Sequence, residues 1–249
     1  MILFYIRHGD PIYHPDQLTP LGHRQADAVA KRLALYGVDE IYASSSIRAI
    51  ETAQPTCELT GLTCETVDWM HEKYGYQAFS VPVVPGGRPT WMWAQSDFAK
   101  LLCSREVREM GDRWHEHPAF RACGFHEYYR EVKKKIDEWL ASIGCEHDRD
   151  RGMYRIAPEC QNKRVALFAH EGFAKLFMSE LLDIPYPYYA EHFEMKHTGM
   201  TVIFFDEGRD QYSFDGYARA RVLTLSNDSH LYRDGLPTNH TSTGLREKY

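Results

Sequence analysis

Short apolar segments of strand length alternate with helical patterns along most of the chain. Residues 2–6 are all apolar and contain no turn residue, which predicts a strand buried on both faces. Residues 164–169 show much the same pattern, and residues 40–43 and 63–67 are predicted as further strands. Strands that alternate with helices favour a three-layer α/β fold, in which a mostly parallel sheet has helices on both faces.

Cap residues and apolar spacing predict where the helices lie. Thr19 is a candidate N-cap with Pro20 at the first helical position, and the second helix begins near Ser46. Pro55 predicts an interruption or kink in this second helix, which ends by Gly61. Two later helices follow from apolar residues at helical spacing, which are Val132, Ile136, Leu140 and Ile143 in one and Phe173, Leu176, Phe177 and Leu181 in the other.

The later part of the chain predicts antiparallel connections. Residues 145–162 are charged and irregular, which favours a surface hairpin or loop. Residues 201–205 and 221–225 are predicted strands joined by residues 207–217. Because this link is short, the two strands are expected to form an antiparallel pair at the edge of the sheet. The predicted fold therefore includes an antiparallel edge strand.

Residues 76–124 interrupt the alternation of strands and helices. They begin with a stretch rich in proline and glycine and continue as a mixed helical segment that contains Trp91, Trp93 and Trp114. We expect one domain over residues 1–249, with residues 76–124 as an insertion that folds like a lid over the strand ends. Such lids commonly set the choice of substrate. We expect Trp91 and Trp93 to pack in the core or in the lid. The more specific alternative is that they stack on the substrate.

Composition narrows the class of protein. A chain of 249 residues with 43% hydrophobic content can bury a sizeable core. The net charge is −6 and there is no basic tract, which argues against nucleic-acid binding. The first apolar run is short and already carries Arg7, so neither a signal peptide nor a membrane span is expected. Six cysteines without CxxC spacing fit reduced thiols, and we expect a cytoplasmic protein.

Cationic side chains follow three of the predicted strands. Arg7 and His8 end the first strand, His170 ends the strand at residues 164–169, and Arg48 lies at the start of the helix after residues 40–43. The carboxyl ends of parallel strands share one edge, where ligands bind in open α/β sheets. Gly9 allows the backbone to approach such a ligand closely.

This set of side chains suits phosphoryl transfer. Arginine binds phosphate oxygens with two parallel hydrogen bonds, and a neutral imidazole can attack phosphorus. The reaction also needs a general acid for the leaving oxygen, and Glu72 follows the strand at residues 63–67. Glu51 and Glu171 are alternative acids, and Glu72 beside Lys73 could instead form a solvated surface pair. Arg48 alone could simply brace its helix.

Five segments, in this order, resemble the histidine phosphatase superfamily. They are Arg7-His8-Gly9, the stretch from Leu18 to Ala26, the stretch from Ser45 to Ala53, the segment around Glu72, and Ala169-His170-Glu171-Gly172. The resemblance implies that His8 becomes the phosphohistidine and that Arg7, Arg48 and His170 form the phosphate pocket. It further implies that Glu72 is the proton donor. Gly9 and Glu171 are then expected beside the substrate, so the catalytic set is His8, Glu72 and His170.

The resemblance favours the phosphoglycerate-mutase-like branch of the superfamily. The secreted acid-phosphatase branch carries a further arginine and a His-Asp pair, where this chain has Pro11 and His170-Glu171. The mutases carry a longer segment before the Leu-Thr-Pro helix start, and here only residues 10–17 lie there. We therefore expect a phosphatase that hydrolyses a small phosphorylated metabolite rather than a mutase. A cofactor-dependent phosphoglycerate mutase and a non-catalytic phosphate-ligand binding protein remain alternatives, and a purely structural protein is disfavoured.

No cofactor and no metal are expected in this reaction. His115, His117 and His126 invite a metal-site hypothesis, but residues two apart do not share a helix face, so we interpret them as surface residues. Asp10, Glu127 and Asp148 leave a divalent site open to test. The expected partner is a small-molecule phosphate monoester, with no nucleic acid and no membrane. The oligomeric state stays open, a homo-oligomer included.

Overall fold

The computed structural model describes residues 1–208 and 213–238. Its strands are β1 (Ile2–Arg7), β2 (Pro11–Ile12), β3 (Gln17–Leu18), β4 (Glu40–Ser44), β5 (Cys64–Val67), β6 (Ser80–Pro82), β7 (Pro89–Trp91), β8 (Cys145–Asp148), β9 (Met153–Ile156), β10 (Arg164–Ala169), β11 (Met200–Asp206) and β12 (Arg219–Asn227). Its helices are α1 (Pro20–Tyr36), α2 (Ile47–Thr60), α3 (Glu72–Phe79), α4 (Ser96–Leu102), α5 (Arg105–Glu109), α6 (Pro118–Arg121), α7 (Phe125–Ser142), α8 (Glu171–Leu181), α9 (Tyr186–His192) and α10 (Ser229–Arg233).

The central sheet confirms the predicted fold class. Within the described residues its strand order is β12-β11-β1-β10-β4-β5. The pairs β1–β10, β10–β4 and β4–β5 are parallel, whereas β11 pairs antiparallel with both β1 and β12. The predicted antiparallel pair thus lies at the edge of the sheet. In the link between these strands, residues 209–212 lie outside the described residues.

Alternating side chains of β1 contribute to two separate cores. Leu3 and Tyr5 of β1 belong to the larger core, which includes apolar residues of α7 and α8. Phe4 and Ile6 of β1 belong to the smaller core, with residues of α1 and α2. Because successive strand residues face opposite sides, β1 is buried by helices on both of its faces. The sheet is therefore the middle of three layers.

Local chemistry explains the two helices that flank the first strands. Thr19 Oγ1 accepts a hydrogen bond from Gly22 N (3.0 Å) at the start of α1, and Pro20 takes the first helical position, as predicted. Helix α2 continues through Pro55 to Thr60 and is capped by Gly61, so the helix is not interrupted at Pro55, whereas its end by Gly61 is as predicted. One face of α2, which includes Ala49 and Ala53, is buried, and this packing holds the helix across the missing N–H group.

The insertion at residues 76–124 contains both exposed loops and buried aromatic rings. Its first part forms the β6–β7 hairpin, and its second part holds the short helices α4, α5 and α6. Trp114 is fully buried and stacks on Phe125 and Tyr186, with ring centroids 5.6 and 4.9 Å away. The second half of the insertion therefore contributes to the larger core. None of the helices in residues 1–208 and 213–238 combines the length and the apolar composition that a membrane span requires.

One sequence interpretation in this region is wrong. His115 is buried rather than at the surface, and its Nδ1 lies 2.6 Å from Nδ1 of His126. Its ring packs beside Trp114 and Tyr129, which remove it from water. Burial, followed by the nearby His126, lowers the pKa of His115 to about 4. His117 lies elsewhere and contacts Glu106 (3.3 Å).

Candidate active site

Parallel pairing of β1 with β10 brings the two predicted imidazoles together. Arg7 pairs with Ala169 in register, and His8 N donates a hydrogen bond to Ala169 O (2.9 Å). His8 directly follows β1 and His170 directly follows β10. Their ring centroids lie 5.3 Å apart. Both side chains are buried. The two histidines, 162 positions apart in the chain, thus form one site at the carboxyl ends of the central strands.

His8 presents one free ring nitrogen. Its Nδ1 lies 2.7 Å from the carbonyl oxygen of Gly9, which can only accept, so Nδ1 carries the proton and donates it. The lone pair is therefore on Nε2. Burial, followed by the nearby His170, Arg7 and Arg48, lowers the pKa of His8 well below 6.5. His8 is a neutral imidazole at neutral pH, the form that can attack an electrophile.

Arg48 connects the predicted acid to the second histidine. Its Nη2 donates to Glu72 Oε2 (3.0 Å) and to His170 Nδ1 (3.2 Å). Its Nη1 donates to Asp16 Oδ1 (2.7 Å). Arg48 comes from α2 after β4, and Glu72 from α3 after β5, so the strand order β1-β10-β4-β5 sets the order of these groups along the site.

His170 is held from both ring nitrogens. Arg48 donates to Nδ1, so Nε2 carries the proton and faces Ser44 Oγ (2.7 Å) and Ser46 Oγ (3.3 Å). Burial, followed by Arg48, lowers the pKa of His170 well below 6.5. Tyr5 donates a hydrogen bond to the His170 carbonyl oxygen (2.8 Å), which fixes the backbone at this strand end.

Arg7 is fixed by Glu171 rather than left free. Its Nη1 donates to Glu171 Oε2 (3.0 Å) and to the Met195 carbonyl oxygen. Glu171 Oε2 also accepts from Met195 N (2.9 Å). Burial raises the pKa of Glu171 against the opposing charges of Arg7 and Lys175. In the described part of the chain, the buried Nε atoms of Arg7 and Arg48 have no hydrogen-bond partner, which leaves a donor on each guanidinium.

The three acidic residues named from the sequence occupy different places. Glu72 is not a solvated surface pair, because its side chain is 14% exposed and its Oε1 accepts from Gly172 N (2.9 Å). Glu51 Oε2 instead accepts from Leu18 N (2.6 Å), and Glu171 is tied to Arg7. Of the three, Glu72 alone has an oxygen in the cluster with both histidines.

Gly9 is required for close approach of two backbone segments. A Cβ on Gly9 would lie 2.7 Å from Gly22 O, and a Cβ on Gly22 would lie 2.2 Å from Asp10 O. Both distances are too short for any side chain, so α1 packs directly on the strand end. Gly9 N donates to Thr52 Oγ1 (3.0 Å), which joins this turn to α2. The position of His8 thus depends on two glycines.

The sequence did not reveal His197, which lies beside His8. The ring centroids are 5.6 Å apart, and His197 Nδ1 lies 3.5 Å from Asp10 Oδ1. Burial, followed by Arg7, lowers the pKa of His197 to about 3. A sequence signal existed: His197 precedes the predicted strand at residues 201–205. The amino end of an antiparallel strand meets the carboxyl ends of its parallel neighbours.

Asp16 is a second residue that the sequence did not reveal. It belongs to the loop between β2 and β3, and it binds Arg48 and the backbone N of Ile47 (2.9 Å) at the start of α2. Tyr13 of the same loop lies beneath the Arg48 guanidinium, 5.3 Å from the ring centroid. This loop therefore covers the outer side of Arg48 with one carboxylate and one aromatic ring.

A cavity of about 650 Å³ opens next to Arg48 and Glu72. It is lined by Tyr13, His14, Asp16, Arg48, His71, Glu72, Lys73, Tyr76 and Trp91. Residues from the β2–β3 loop, from α3 and from the insertion thus share its wall. The cavity can hold a small organic molecule beside Arg48 and Glu72, and Arg48 in turn contacts His170.

The cluster of His8, Glu72 and His170 suits an anion better than a metal ion. One donor atom of each residue lies within 4.8 Å of the others, and these three form the metal-type group found in the described residues. However, Arg48 donates to both Glu72 and His170, so a cation there would meet a fixed guanidinium. Two arginines and two imidazoles can instead surround a tetrahedral oxyanion.

Comparison with known proteins identifies a family. The family model of the histidine phosphatase superfamily (branch 1) matches residues 3–78 and 100–214. Solved structures with a similar fold include the phosphoserine phosphatase mutant of Entamoeba histolytica in complex with phosphoserine. That likeness has a TM-score of 0.56 and 19% identity and covers 92% of this chain and 98% of that one.

Two further solved structures have the same fold. The mycobacterial glucosyl-3-phosphoglycerate phosphatase in complex with VO3 has a TM-score of 0.53 and 22% identity over 90% of this chain and 98% of that one. A protein described as a putative alpha-ribazole-5'-P phosphatase from Escherichia coli has a TM-score of 0.51 and 15% identity, with 92% and 98% covered. No curated protein matches the chain.

Proposed function

The chain belongs to branch 1 of the histidine phosphatase superfamily and is a histidine-type phosphatase, and from this premise we propose that it hydrolyses a small phosphorylated metabolite through a phosphohistidine on His8. The observation that carries this proposal is the buried His8 ring, whose Nδ1 donates to Gly9 O and leaves Nε2 free, and which lies close to His170, Arg7 and Arg48. Similar solved structures are named phosphoserine phosphatase and glucosyl-3-phosphoglycerate phosphatase, which supports small phosphate monoesters as the substrate class.

The first chemical step transfers the phosphoryl group to His8. The Nε2 lone pair forms the N–P bond while the bond from phosphorus to the ester oxygen breaks. Arg7 and Arg48 neutralise the charge on the phosphoryl oxygens, and their free Nε–H groups are available as donors. The Glu72 carboxyl gives its proton to the departing alcohol.

The second step releases phosphate. Water attacks the phosphorus, the Glu72 carboxylate takes a proton from this water, and the N–P bond breaks to restore neutral His8. Glu72 thus ends the cycle protonated, as it began. Division into two displacements replaces one difficult reaction by two easier ones. Gly9 and Glu171 support the site indirectly, through the turn after β1 and through the position of Arg7. In this proposal residues 1–249 form one domain, and residues 76–124 supply part of the substrate pocket.

A screen of phosphate monoesters tests the function. We expect free phosphate to be released, at the same rate with and without a chelator, because fixed cations hold the phosphoryl group. A phosphoglycerate in the same screen separates the mutase alternative, since a mutase forms the isomer faster than it releases phosphate. Saturable binding without phosphate release from any ester would contradict hydrolysis and indicate a phosphate-binding protein.

The pH dependence provides a second test of the neutral His8. Its lowered pKa means that the nucleophile is lost only as the pH falls through a value well below 6.5. We therefore expect kcat/KM, corrected for the ionisation of the substrate, to keep its neutral-pH value at pH 6.5 and to fall only under more acidic conditions. NMR titration of ring-labelled histidines should show the His8 signal still neutral at pH 6.5. A half-protonated His8 at that pH would contradict this assignment.

A further inference from the structure

If the proposed function holds, the alcohol part of the substrate occupies the cavity beside Glu72. Glu72 must reach the ester oxygen that departs, so the leaving group lies on the Glu72 side of the phosphoryl group. On that side the cavity of about 650 Å³ is lined by Tyr13, Tyr76 and Trp91. Its wall therefore determines which alcohols fit.

Trp91 lies close to the Glu72 carboxylate and packs against two other aromatic rings. A Cβ on Gly172 would lie 2.6 Å from the Trp91 ring and 3.1 Å from Glu72 Oε1, so the ring and the carboxylate meet over Gly172. Trp93 stacks on Trp91 with centroids 4.2 Å apart, and Tyr76 contacts it edge-on at 5.2 Å. An aromatic surface that is fixed in this way can bind a flat group at low entropic cost.

Tyr13 provides a second aromatic surface at the mouth of the cavity. It is 54% exposed, although the Arg48 guanidinium lies over its ring. An exposed tyrosine that lines a cavity leaves apolar surface in water, which a ligand ring can cover. The hydroxyl of Tyr76 already donates to Pro89 O (2.9 Å), so Tyr76 also presents mainly its ring to the cavity.

The charges in the cavity argue against a cationic alcohol such as choline. Aromatic walls can bind a quaternary ammonium group. Here, however, Arg48 and Lys73 line the same cavity, and both of its carboxylates, Asp16 and Glu72, are already bound to Arg48. A further cation would meet two like charges. A neutral planar group meets the aromatic surfaces without this repulsion.

We propose that the substrate is a phosphate monoester whose alcohol carries a neutral aromatic or heteroaromatic ring, which packs against Trp91 and Tyr13. The ring stands one short link away from the ester oxygen, because Trp91 lies beside Glu72 rather than at the far end of the cavity. Residue 91 lies in the insertion, so this segment sets the preference for the leaving group.

A matched pair of esters tests the proposal. 2-Phenylethyl phosphate and 2-cyclohexylethyl phosphate have the same linker and similar size, and their alcohols leave with similar ease, so they differ mainly in the planarity and aromaticity of the ring. We expect kcat/KM to be about tenfold higher for the phenyl ester, the effect of one or two aromatic pairs. Trp91→Leu and Tyr13→Leu should each reduce this ratio by about threefold or more. Because Tyr13 is exposed, its replacement leaves folding intact even if Trp91→Leu does not.

Tyr36→Leu is the matched control for Tyr13→Leu. Tyr36 is 42% exposed and also lies beneath an arginine, Arg32, at 5.4 Å, but it is not among the residues of this cavity. It should keep the wild-type ratio. Equal kcat/KM for the two esters, an unchanged ratio in Tyr13→Leu, or a preference for phosphocholine over both would overturn the inference and leave hydrolysis intact. Release of phosphate from no ester of the wider screen would overturn the proposed function itself.

Discussion

His8→Ala is expected to reduce phosphate release from any substrate of this enzyme by about 10⁴-fold or more, because no other group can form the covalent intermediate. His197 lies nearby, but its Nδ1 faces Asp10 Oδ1 at 3.5 Å and its ring centroid lies 5.6 Å from that of His8, so it does not occupy the position of the nucleophile. The same variant should fail to trap acid-labile phosphate after brief incubation with labelled substrate and acid-free denaturation. The measurement is therefore twofold: steady-state phosphate release and covalent label on the protein.

His23→Ala is the control for this variant. His23 is exposed on α1, and its loss removes an imidazole from the surface without touching the site. We expect wild-type turnover and wild-type trapping of phosphate. If His8→Ala retained turnover, the nucleophile would be another group. If it lost turnover but still became labelled, the phosphohistidine would lie on another histidine, with His170 and His197 as the residues to test next.

The part of the site that lies on parallel strands could be predicted from the sequence. An apolar run that is buried on both faces indicates a strand of a parallel sheet. The carboxyl ends of such strands lie at the same edge of the sheet. Arg7, His8 and His170 are consequently close in space although nothing in the sequence states the register. The pairing of Arg7 with Ala169 in the folded protein supplies this register.

The part of the site that comes from loops and from packing could not be predicted. Asp16 lies in a loop whose path depends on its own contacts with Arg48 and Ile47. Trp91 alternates with Trp93 in the sequence like a strand residue, yet the two rings stack because β7 ends between them. His115 appeared to be a surface residue because its burial depends on Tyr129, which belongs to α7. Local patterns do not contain such long-range contacts.

Glu72→Gln is expected to affect different substrates to different extents. Loss of a general acid costs about 10²–10⁴-fold in kcat for an alkyl phosphate, whose alkoxide leaves poorly. With p-nitrophenyl phosphate the leaving phenolate needs no proton, so transfer to His8 should remain fast. The second step still needs Glu72 as a base. The variant should therefore release about one equivalent of p-nitrophenolate per site in a burst, followed by slow turnover.

Glu51→Gln separates this role from a general effect of removing a carboxylate. Glu51 accepts from Leu18 N outside the cluster of both histidines, so its variant should keep the wild-type ratio of the two substrates and show no burst. Glu171→Gln should instead weaken the position of Arg7 and slow both substrates alike. Absence of the p-nitrophenolate burst in Glu72→Gln, with the first transfer slowed for both substrates, would assign Glu72 to binding through Arg48 rather than to proton transfer. A burst indicates that Glu72 acts in both steps of the reaction. The carboxyl that donates a proton to the alcohol in the first step must take a proton from water in the second.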